Sequence, residues 1–398
     1  MRAEAVASRS VPRSRFRLIA LSLVLATAAT LTACDSGSSG DTEDARAKAA
    51  AAGPPPDRPG PFAVGRDTYT VPNAGQPGRT LTVDVWYPAD PSRAEGARAA
   101  GYTVIPGVVI PARNAYSGLP VSTKGPFPLV VYSHGSGGLR FVSSFLTETL
   151  ASHGFVVIAA DHTGNTALDG VTGQTVGRAQ NEINRLNDIT AIIDDAIART
   201  TGGGDLLSGS IRADAIGVIG HSYGGFTALA TPTGHRGVAA NAKVRAVVGL
   251  APYTVPMTDA ELERLDVPTM LISGTKDTTT TIEDNTERPW ELIPGRPLYR
   301  VDLENAAHHS FDDVCYYQSL KSQFPDAPEI LITTVEEYAK TGCAPGLMPI
   351  ARANRLIEEY TIAFLLVQLA GQPGYEAYLT PEFAASQPGV QFSVETAE

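Results

Sequence analysis

The sequence predicts an α/β fold in which a mainly parallel sheet is covered by helices on both faces. Residues 127–135 (FPLVVYSHG) form a continuous apolar run that ends in glycine, which is typical of a parallel strand buried on both sides. Residues 179–199 instead carry isoleucine and leucine at helical spacing, as an amphipathic helix does. Because such runs alternate along most of the chain, we expect strand–helix units and a parallel sheet.

The other elements follow the same alternation. An early strand at 79–88 alternates apolar and polar residues, and a second buried strand is predicted at 155–161. A helix is predicted at 141–154 and a long closing helix at 352–371. Four further strands are predicted at 215–222, 244–252, 268–275 and 297–305. Sheets of this kind bind ligands at the carboxyl ends of their strands, so polar residues at those ends are the candidates for chemistry.

The first 33 residues predict an export signal. Five arginines and one glutamate in residues 1–17 precede an apolar run at 18–33, which is the pattern of a secretory signal peptide. The run ends in LTAC, residues 31–34, which resembles the lipobox of bacterial lipoproteins. That resemblance implies a lipid on Cys34 and a protein held in the cell envelope, on the outer face of the cytoplasmic membrane. An uncleaved anchor is the alternative, because the run is nearly long enough to span a bilayer.

The remainder is predicted to be a tether followed by one domain. Residues 34–62 are rich in glycine, serine, alanine and proline, which predicts a disordered tether. Residues 63–398 contain all the predicted strands and form the expected α/β domain, which we predict to be a monomer. The net charge of −11 speaks against a nucleic-acid partner.

Two cysteines remain after Cys34, namely Cys315 and Cys343. An exported protein meets an oxidising compartment, where such a pair usually forms a disulfide; two free buried thiols are the alternative. We expect the disulfide to close a loop near His308. No metal or other cofactor is predicted, since no close pair of further ligands stands near either cysteine.

The segment Gly220-His221-Ser222-Tyr223-Gly224 follows a predicted buried strand directly. The pattern G-x-S-x-G between a strand and a helix is a nucleophile elbow, a tight turn that presents the serine hydroxyl above the sheet. We therefore predict that Ser222 is a nucleophile. His221 within the motif is predicted to be a packing residue.

A serine nucleophile needs a base and an acid, which follow it along the chain in this kind of site. Asp277 lies in a polar loop after the strand at 268–275 and is predicted to orient the base; Asp284 is the competing acid. The base is predicted after the next strand, where His308 and His309 are adjacent. Spacing alone leaves both histidines open.

Negative charge on the substrate oxygen needs two backbone donors. One is predicted to be the amide of Tyr223, the residue after the nucleophile. The other is predicted from the loop SHGSGG at 133–138, where we choose Ser136. His134 is expected to brace this loop, and Asp161 and His162 are expected to be structural.

These motifs resemble the α/β-hydrolase superfamily, and within it the branch of platelet-activating-factor acetylhydrolases and predicted dienelactone hydrolases. The resemblance covers about 63–375 and is strongest at 127–166; the GHSYGG motif is similar to the family's G-H-S-F-G-G. It implies an eight-stranded, mainly parallel sheet. The family's last histidine is followed three residues later by phenylalanine, so the match of Phe311 assigns the base to His308.

The resemblance implies a serine carboxylic-ester hydrolase without a cofactor, whose substrate is a small-molecule or lipid ester. Mammalian acetylhydrolases take their acid from the end of the sixth strand, but residues 247–253 (VVGLAPY) contain none, so Asp277 follows the dienelactone-hydrolase-like pattern. The segments 231–243 and 253–266 are short for a lid, which favours short-acyl esters, including platelet-activating-factor-like phospholipids. A polyester hydrolase, a peptidase of the same fold and a non-catalytic surface-binding lipoprotein are the alternatives.

Overall fold

The computed structural model describes residues 37–73, 76 and 78–397. The predicted signal peptide and Cys34 lie outside these residues, so export and lipidation stay predictions. No helix in the described part of the chain is both long and apolar enough to cross a membrane. The strands in chain order are β1 (Ala63–Pro72), β2 (Thr80–Ala89), β3 (Ala99–Ile105), β4 (Val108–Ser117), β5 (Phe127–Ser133), β6 (Val156–Ala160), β7 (Ile211–His221), β8 (Val244–Leu250), β9 (Thr269–Gly274), β10 (Leu298–Leu303) and β11 (Val390–Glu395).

All these strands belong to one sheet, with the order β11-β10-β9-β8-β7-β5-β6-β2-β1-β4-β3. The six neighbours from β6 to β10 run parallel, as predicted. Antiparallel pairing extends the sheet at both ends, through β2 on β6 and β11 on β10. The predicted fold class is confirmed, but the sheet has eleven strands where eight were predicted, because the β3–β4 hairpin and β11 carry no strong apolar run of their own.

Helices cover both faces of this sheet. Their bounds in chain order are α1 (Gly37–Ala51), α2 (Ser144–Ser152), α3 (Ala167–Thr172), α4 (Arg178–Thr201), α5 (Tyr223–Ala230), α6 (Asp259–Leu262), α7 (Arg288–Leu292), α8 (Val314–Leu320), α9 (Glu329–Ala339), α10 (Ile350–Gln368) and α11 (Pro381–Ala385). Side chains of one strand alternate between two cores: in β5, Val130 and Tyr132 pack with α2 and α10, whereas Leu129 and Val131 pack with α4 and α5. The central strands are therefore buried on both faces.

The structure differs from the predicted disordered tether over 34–62, because helix α1 lies within it. Ala45 and Ala49 of α1 are buried in the core, and Arg46 donates a hydrogen bond to the backbone oxygen of Ser386. Alanine has the highest helix propensity of all residues, so an alanine-rich segment that finds an apolar surface forms a helix. Composition alone does not reveal that surface.

Helices α8 and α9 form a small helical hairpin beyond β10. A disulfide joins Cys315 in α8 to Cys343 just after α9, with Cα atoms 6.0 Å apart, which confirms the predicted pair. Residues 314–343 are called the cap below, because they lie over the carboxyl end of the sheet. The segments 231–243 and 253–266, which the sequence indicated are short for a lid, do not line the cavity at Ser222; the cover comes instead from residues 314–343.

Candidate active site

Ser222 lies at the tip of a tight turn between β7 and α5. Its backbone has φ 58° and ψ −119°, a region that non-glycine residues rarely adopt. The turn is possible because its glycines lack a Cβ: one at Gly220 would lie 2.2 Å from the oxygen of Gly224, and one at Gly224 would lie 1.9 Å from the oxygen of Ser133. The strained turn and the two glycines match the predicted elbow.

The structure brings Ser222, His308 and Asp277 together at the carboxyl edge of the sheet, after β7, β10 and β9. His308 Nδ1 lies 2.7 Å from Asp277 Oδ2, and His308 Nε2 lies 2.9 Å from Ser222 Oγ. A carboxylate only accepts hydrogen bonds, so Nδ1 carries the proton and Nε2 accepts from the serine hydroxyl. The chain of hydrogen bonds from serine to carboxylate is unbroken.

Asp277 is fixed by its own loop as well as by His308. The backbone amides of Thr279 and Thr280 donate to Asp277 Oδ1 over 2.8 and 2.9 Å. Burial would raise the pKa of Asp277, but the hydrogen bonds and the neighbouring imidazole outweigh it, and the pKa falls below its ordinary value. The competing acid Asp284 is exposed and pairs with Thr281, so the structure does not bring it to His308.

His309 points away from Ser222, into a second cluster. Its Nδ1 lies 2.6 Å from Asp312 Oδ2, and its ring stacks on Tyr338 of α9 with centroids 4.4 Å apart. Burial opposes protonation of His309, but Asp312 outweighs it and raises the pKa of the imidazole. His221 is buried beneath both histidines, where burial and His308 lower its pKa to about 3. It packs in the core, as predicted.

The loop after β5 lies beside the nucleophile. A Cβ at Gly135 would lie 3.2 Å from Ser222 Cβ, a tight contact, so glycine eases this approach. Ser136 follows and lines the same cavity as Ser222. Tyr223 is the first residue of α5, where backbone amides have no partner within the helix. Tyr223 thus adjoins Ser222 along the chain, and Ser136 shares a cavity with it.

The side chains expected to brace that loop lie behind it. His134 Nδ1 donates to the oxygen of Gly135 over 2.7 Å, and His162 lies 2.9 Å from both Ser133 Oγ and Asp188 Oδ2. Asp161 instead pairs with Arg140 at the edge of the sheet. The structural roles predicted for these residues fit their contacts.

Sequence reasoning missed Arg185, which is fully buried under the loop. It lies on α4 at helical spacing from Ile189, Ile192 and Ala196, which are all buried. A charged residue at a position of the apolar stripe is the signal that could have revealed it. Burial lowers its pKa to about 10, which leaves the guanidinium charged at neutral pH.

A cavity of about 440 Å³ opens from Ser222 and continues under the cap. The β3–β4 hairpin forms one wall and α9 forms the other. The apolar side chains that line it are Val104, Val108, Ile110, Leu139, Phe324, Leu331 and Val335. We call this space the chamber. The hydrogen-bonded pair of Ser222 and His308 thus lies at one end of an apolar space.

Comparison with known proteins identifies relatives of this chain. A family model described as platelet-activating factor acetylhydrolase, isoform II, matches residues 98–196 and 189–319. A platelet-activating factor acetylhydrolase of Canis lupus familiaris is 23% identical over 233 residues, half of this chain and half of that protein. Cutinase est1 of Thermobifida alba is 28% identical over 180 residues, 45% of this chain and 52% of that protein. The chain spans about half the length of the curated relatives it matches.

A solved structure extends the similarity over most of the fold. The ferulic acid esterase from Streptomyces cinnamoneus superimposes with a TM-score of 0.62 and 26% identity, over 83% of this chain and 96% of that one. The matched family segments together cover more than half of the 398 residues. The chain therefore belongs to the family of platelet-activating factor acetylhydrolase, isoform II.

Proposed function

We propose that this protein is a serine carboxylic-ester hydrolase that works through an acyl-enzyme. The observation that carries the proposal is the hydrogen-bond chain from Ser222 through His308 to Asp277. A serine hydroxyl becomes an effective nucleophile when a positioned imidazole takes its proton, and the carboxylate stabilises the resulting imidazolium. Because the nucleophile, the base and the acid are all present and hydrogen-bonded, a purely binding role is disfavoured.

The geometry suggests the following steps. Ser222 Oγ attacks the ester carbonyl carbon while its proton passes to His308 Nε2. The amides of Tyr223 and Ser136 hold the oxygen that becomes negative. As the carbon–oxygen bond to the alcohol breaks, His308 returns the proton to the leaving oxygen. Water, deprotonated by the same imidazole, then attacks the acyl-serine and releases the acid and free Ser222.

Ester substrates are favoured over peptides because the relatives are named for ester hydrolysis: an acetylhydrolase, a cutinase and a ferulic acid esterase. Membership of the acetylhydrolase family supports phospholipids like platelet-activating factor within the proposed range. The cutinase likeness supports polyesters as the second candidate. The sequence predicted short acyl groups because no segment was long enough for a lid. The cap covers the site from another part of the chain, so this argument no longer favours short acyl groups.

A phosphonate label tests the proposal directly. We expect a fluorophosphonate to add one phosphonyl group to the full chain, on Ser222, because the activated hydroxyl displaces fluoride. Intact-mass and peptide mass spectrometry measure the stoichiometry and the site, and p-nitrophenyl acetate hydrolysis is followed in the same samples. The Ser222→Ala protein should remain unlabelled and inactive. A label on another residue, or hydrolysis that survives Ser222→Ala, would reject the mechanism.

A further inference from the structure

The chamber is apolar along its length, away from Ser222. Leu331 and Val335 lie one turn apart on α9 and face Val104 and Val108 of the β3–β4 hairpin across the cavity. These side chains are separated by more than 200 positions in the sequence, and only the fold makes them one surface. An apolar cavity of about 440 Å³ lies within the size range of small-molecule binding sites.

The charged side chains that touch the chamber, among the described residues, already have partners within the protein. Asp312 pairs with His309, Lys321 lies 2.7 Å from Glu336, and Glu337 pairs with Lys340. None of these contacts needs a charge on the bound molecule. The chamber therefore matches a hydrocarbon group and offers little to a polar headgroup.

The cap is tied to the loop that carries His308. The disulfide between Cys315 and Cys343 closes the hairpin, and the backbone amide of His309 donates to the oxygen of Thr341 over 2.8 Å. The ring of His309 stacks on Tyr338. The carboxyl end of α9 is thus tied to the loop that carries the base.

We propose that the chamber binds the acyl group, and that the preferred substrates are esters with an extended apolar acyl group rather than acetyl esters. This inference rests on the proposed ester hydrolysis. The acyl group is the part of the substrate that stays attached to Ser222 through both half-reactions, so contacts with it act on both transition states. Each methylene buried in the chamber lowers the barrier by about 0.8 kcal/mol, equivalent to a three- to fourfold gain in kcat/KM.

The chain-length dependence of kcat/KM tests this assignment. With the full chain and soluble p-nitrophenyl esters, kcat/KM is expected to rise about three- to fourfold per methylene from acetate through butyrate to octanoate. Ethyl octanoate should also be a better substrate than octyl acetate, which carries the same hydrocarbon on the alcohol. A flat or falling series, or a preference for octyl acetate, would overturn the proposal.

A chamber-filling variant and a matched control separate this proposal from the proposed mechanism. Val335→Trp should lower the ratio of octanoate to acetate kcat/KM at least about tenfold, because the indole occupies the space of several methylenes. Thr333→Trp places the same side chain on an exposed position of α9 outside the chamber and should leave that ratio unchanged. Ser222-dependent acetate hydrolysis with an unchanged ratio in Val335→Trp rejects only the chamber. Absence of any Ser222-dependent hydrolysis rejects the ester-hydrolase mechanism itself.

A separate observation concerns Arg185, whose guanidinium contacts both segments that carry the predicted amide donors. Its Nη1 donates to the oxygen of His134 over 2.7 Å and its Nη2 to the oxygen of Gly135 over 3.1 Å. The guanidinium also lies over the ring of Tyr223, 4.7 Å from the centroid. Asn165 Oδ1 accepts from Nη2 over 2.6 Å, and Asn165 Nδ2 donates to Ser136 Oγ over 3.1 Å.

Because the peptide group is planar, the contacts of Arg185 with the loop carbonyls also affect the direction of the neighbouring backbone amides. In a trans peptide the C=O of one residue and the N–H of the next point in opposite directions. Arg185 shares the carbonyl of Gly135 with His134 Nδ1 and the amide of Gly138, and a carbonyl held in this way turns the amide of Ser136 to the opposite side of the loop. Gly135 itself lies against Ser222, where a Cβ built on it would be 3.2 Å from the serine Cβ.

We infer that Arg185 is a positioning residue for the oxyanion site: it fixes the Ser136 amide through the Gly135 carbonyl and restrains Tyr223 through its ring. It does not touch the substrate. Loss of one oxyanion donor in enzymes of this chemistry costs about 10²–10³ in kcat. Arg185→Met is expected to lower kcat within that range and to change KM less than about threefold.

A tetrahedral inhibitor distinguishes positioning from simple packing. A trifluoromethyl ketone forms an oxyanion on Ser222, so its affinity should fall by the same factor as kcat/KM in Arg185→Met and, more weakly, in Asn165→Ala. Asn165→Ala is the milder variant and keeps the test valid if Arg185→Met fails to fold. Arg199→Met, which removes a different arginine of α4 that pairs with Asp195, should leave this affinity unchanged. Folded variants that keep wild-type kcat and inhibitor affinity would overturn the inference.

Discussion

Alanine at Ser222 or at His308 is expected to lower kcat for ester hydrolysis by about a millionfold, and alanine at both is expected to lower it no further. The serine and the imidazole act as one unit. The imidazole of His308 needs the Ser222 hydroxyl, 2.9 Å away, as its proton donor, and that hydroxyl is a poor nucleophile without the base. Steady-state kinetics of the three variants on p-nitrophenyl acetate give the comparison. Additive losses in the double variant would contradict a shared step.

His309→Ala is the matched control for that experiment. Its imidazole pairs with Asp312 and stacks on Tyr338, so it offers no acceptor to Ser222. We expect at most about a tenfold loss of kcat, the amount that one lost hydrogen bond explains. An inactive His309→Ala together with an active His308→Ala would transfer the role of base to His309.

Asp277→Asn is expected to lower kcat by about 10⁴ while the fold is kept. The amide can still accept hydrogen bonds from Thr279 and Thr280 through its oxygen, but it no longer stabilises the imidazolium or imposes the tautomer with Nδ1 protonated. Kinetics on the same ester, with thermal unfolding to verify the fold, measure the effect.

The control for the acid is Asp284→Asn. Asp284 is exposed and bonds only within its own turn, to Thr281, so this variant should hydrolyse esters at close to the wild-type rate. Full activity in Asp277→Asn with a large loss in Asp284→Asn would mean that the loop rearranges and that the acid was assigned to the wrong residue.

The sequence allowed the centre of the site to be predicted because its members follow strands. Ser222, Asp277 and His308 each come directly after an apolar run, and parallel strands bring their carboxyl ends to one edge. No pattern in the sequence of the loop distinguishes His308 from the adjacent His309. The choice of His308 depended on the spacing to Phe311, which matches the family. The structure brings His308 to Ser222, as that spacing predicted.

The cap, the chamber and Arg185 could not be predicted in the same way. The chamber joins the β3–β4 hairpin to α9 across more than 200 residues, and no local pattern encodes that contact. The position of Arg185 on the apolar stripe of α4 indicates burial, but its acceptors, the carbonyls of a loop 50 residues earlier, become known only from the fold. Helix α1 was missed because its burial depends on the C-terminal segment near Ser386, at the other end of the chain.

The attachment of the cap has a consequence for how a substrate reaches Ser222. The disulfide and the contacts of His309 with Thr341 and Tyr338 hold both ends of the cap against the same loop. A substrate therefore reaches Ser222 between the β3–β4 hairpin and a cap that is anchored at both of its ends to the loop of the catalytic base, so one covalent bond and two contacts of a neighbouring histidine set the position of the cover.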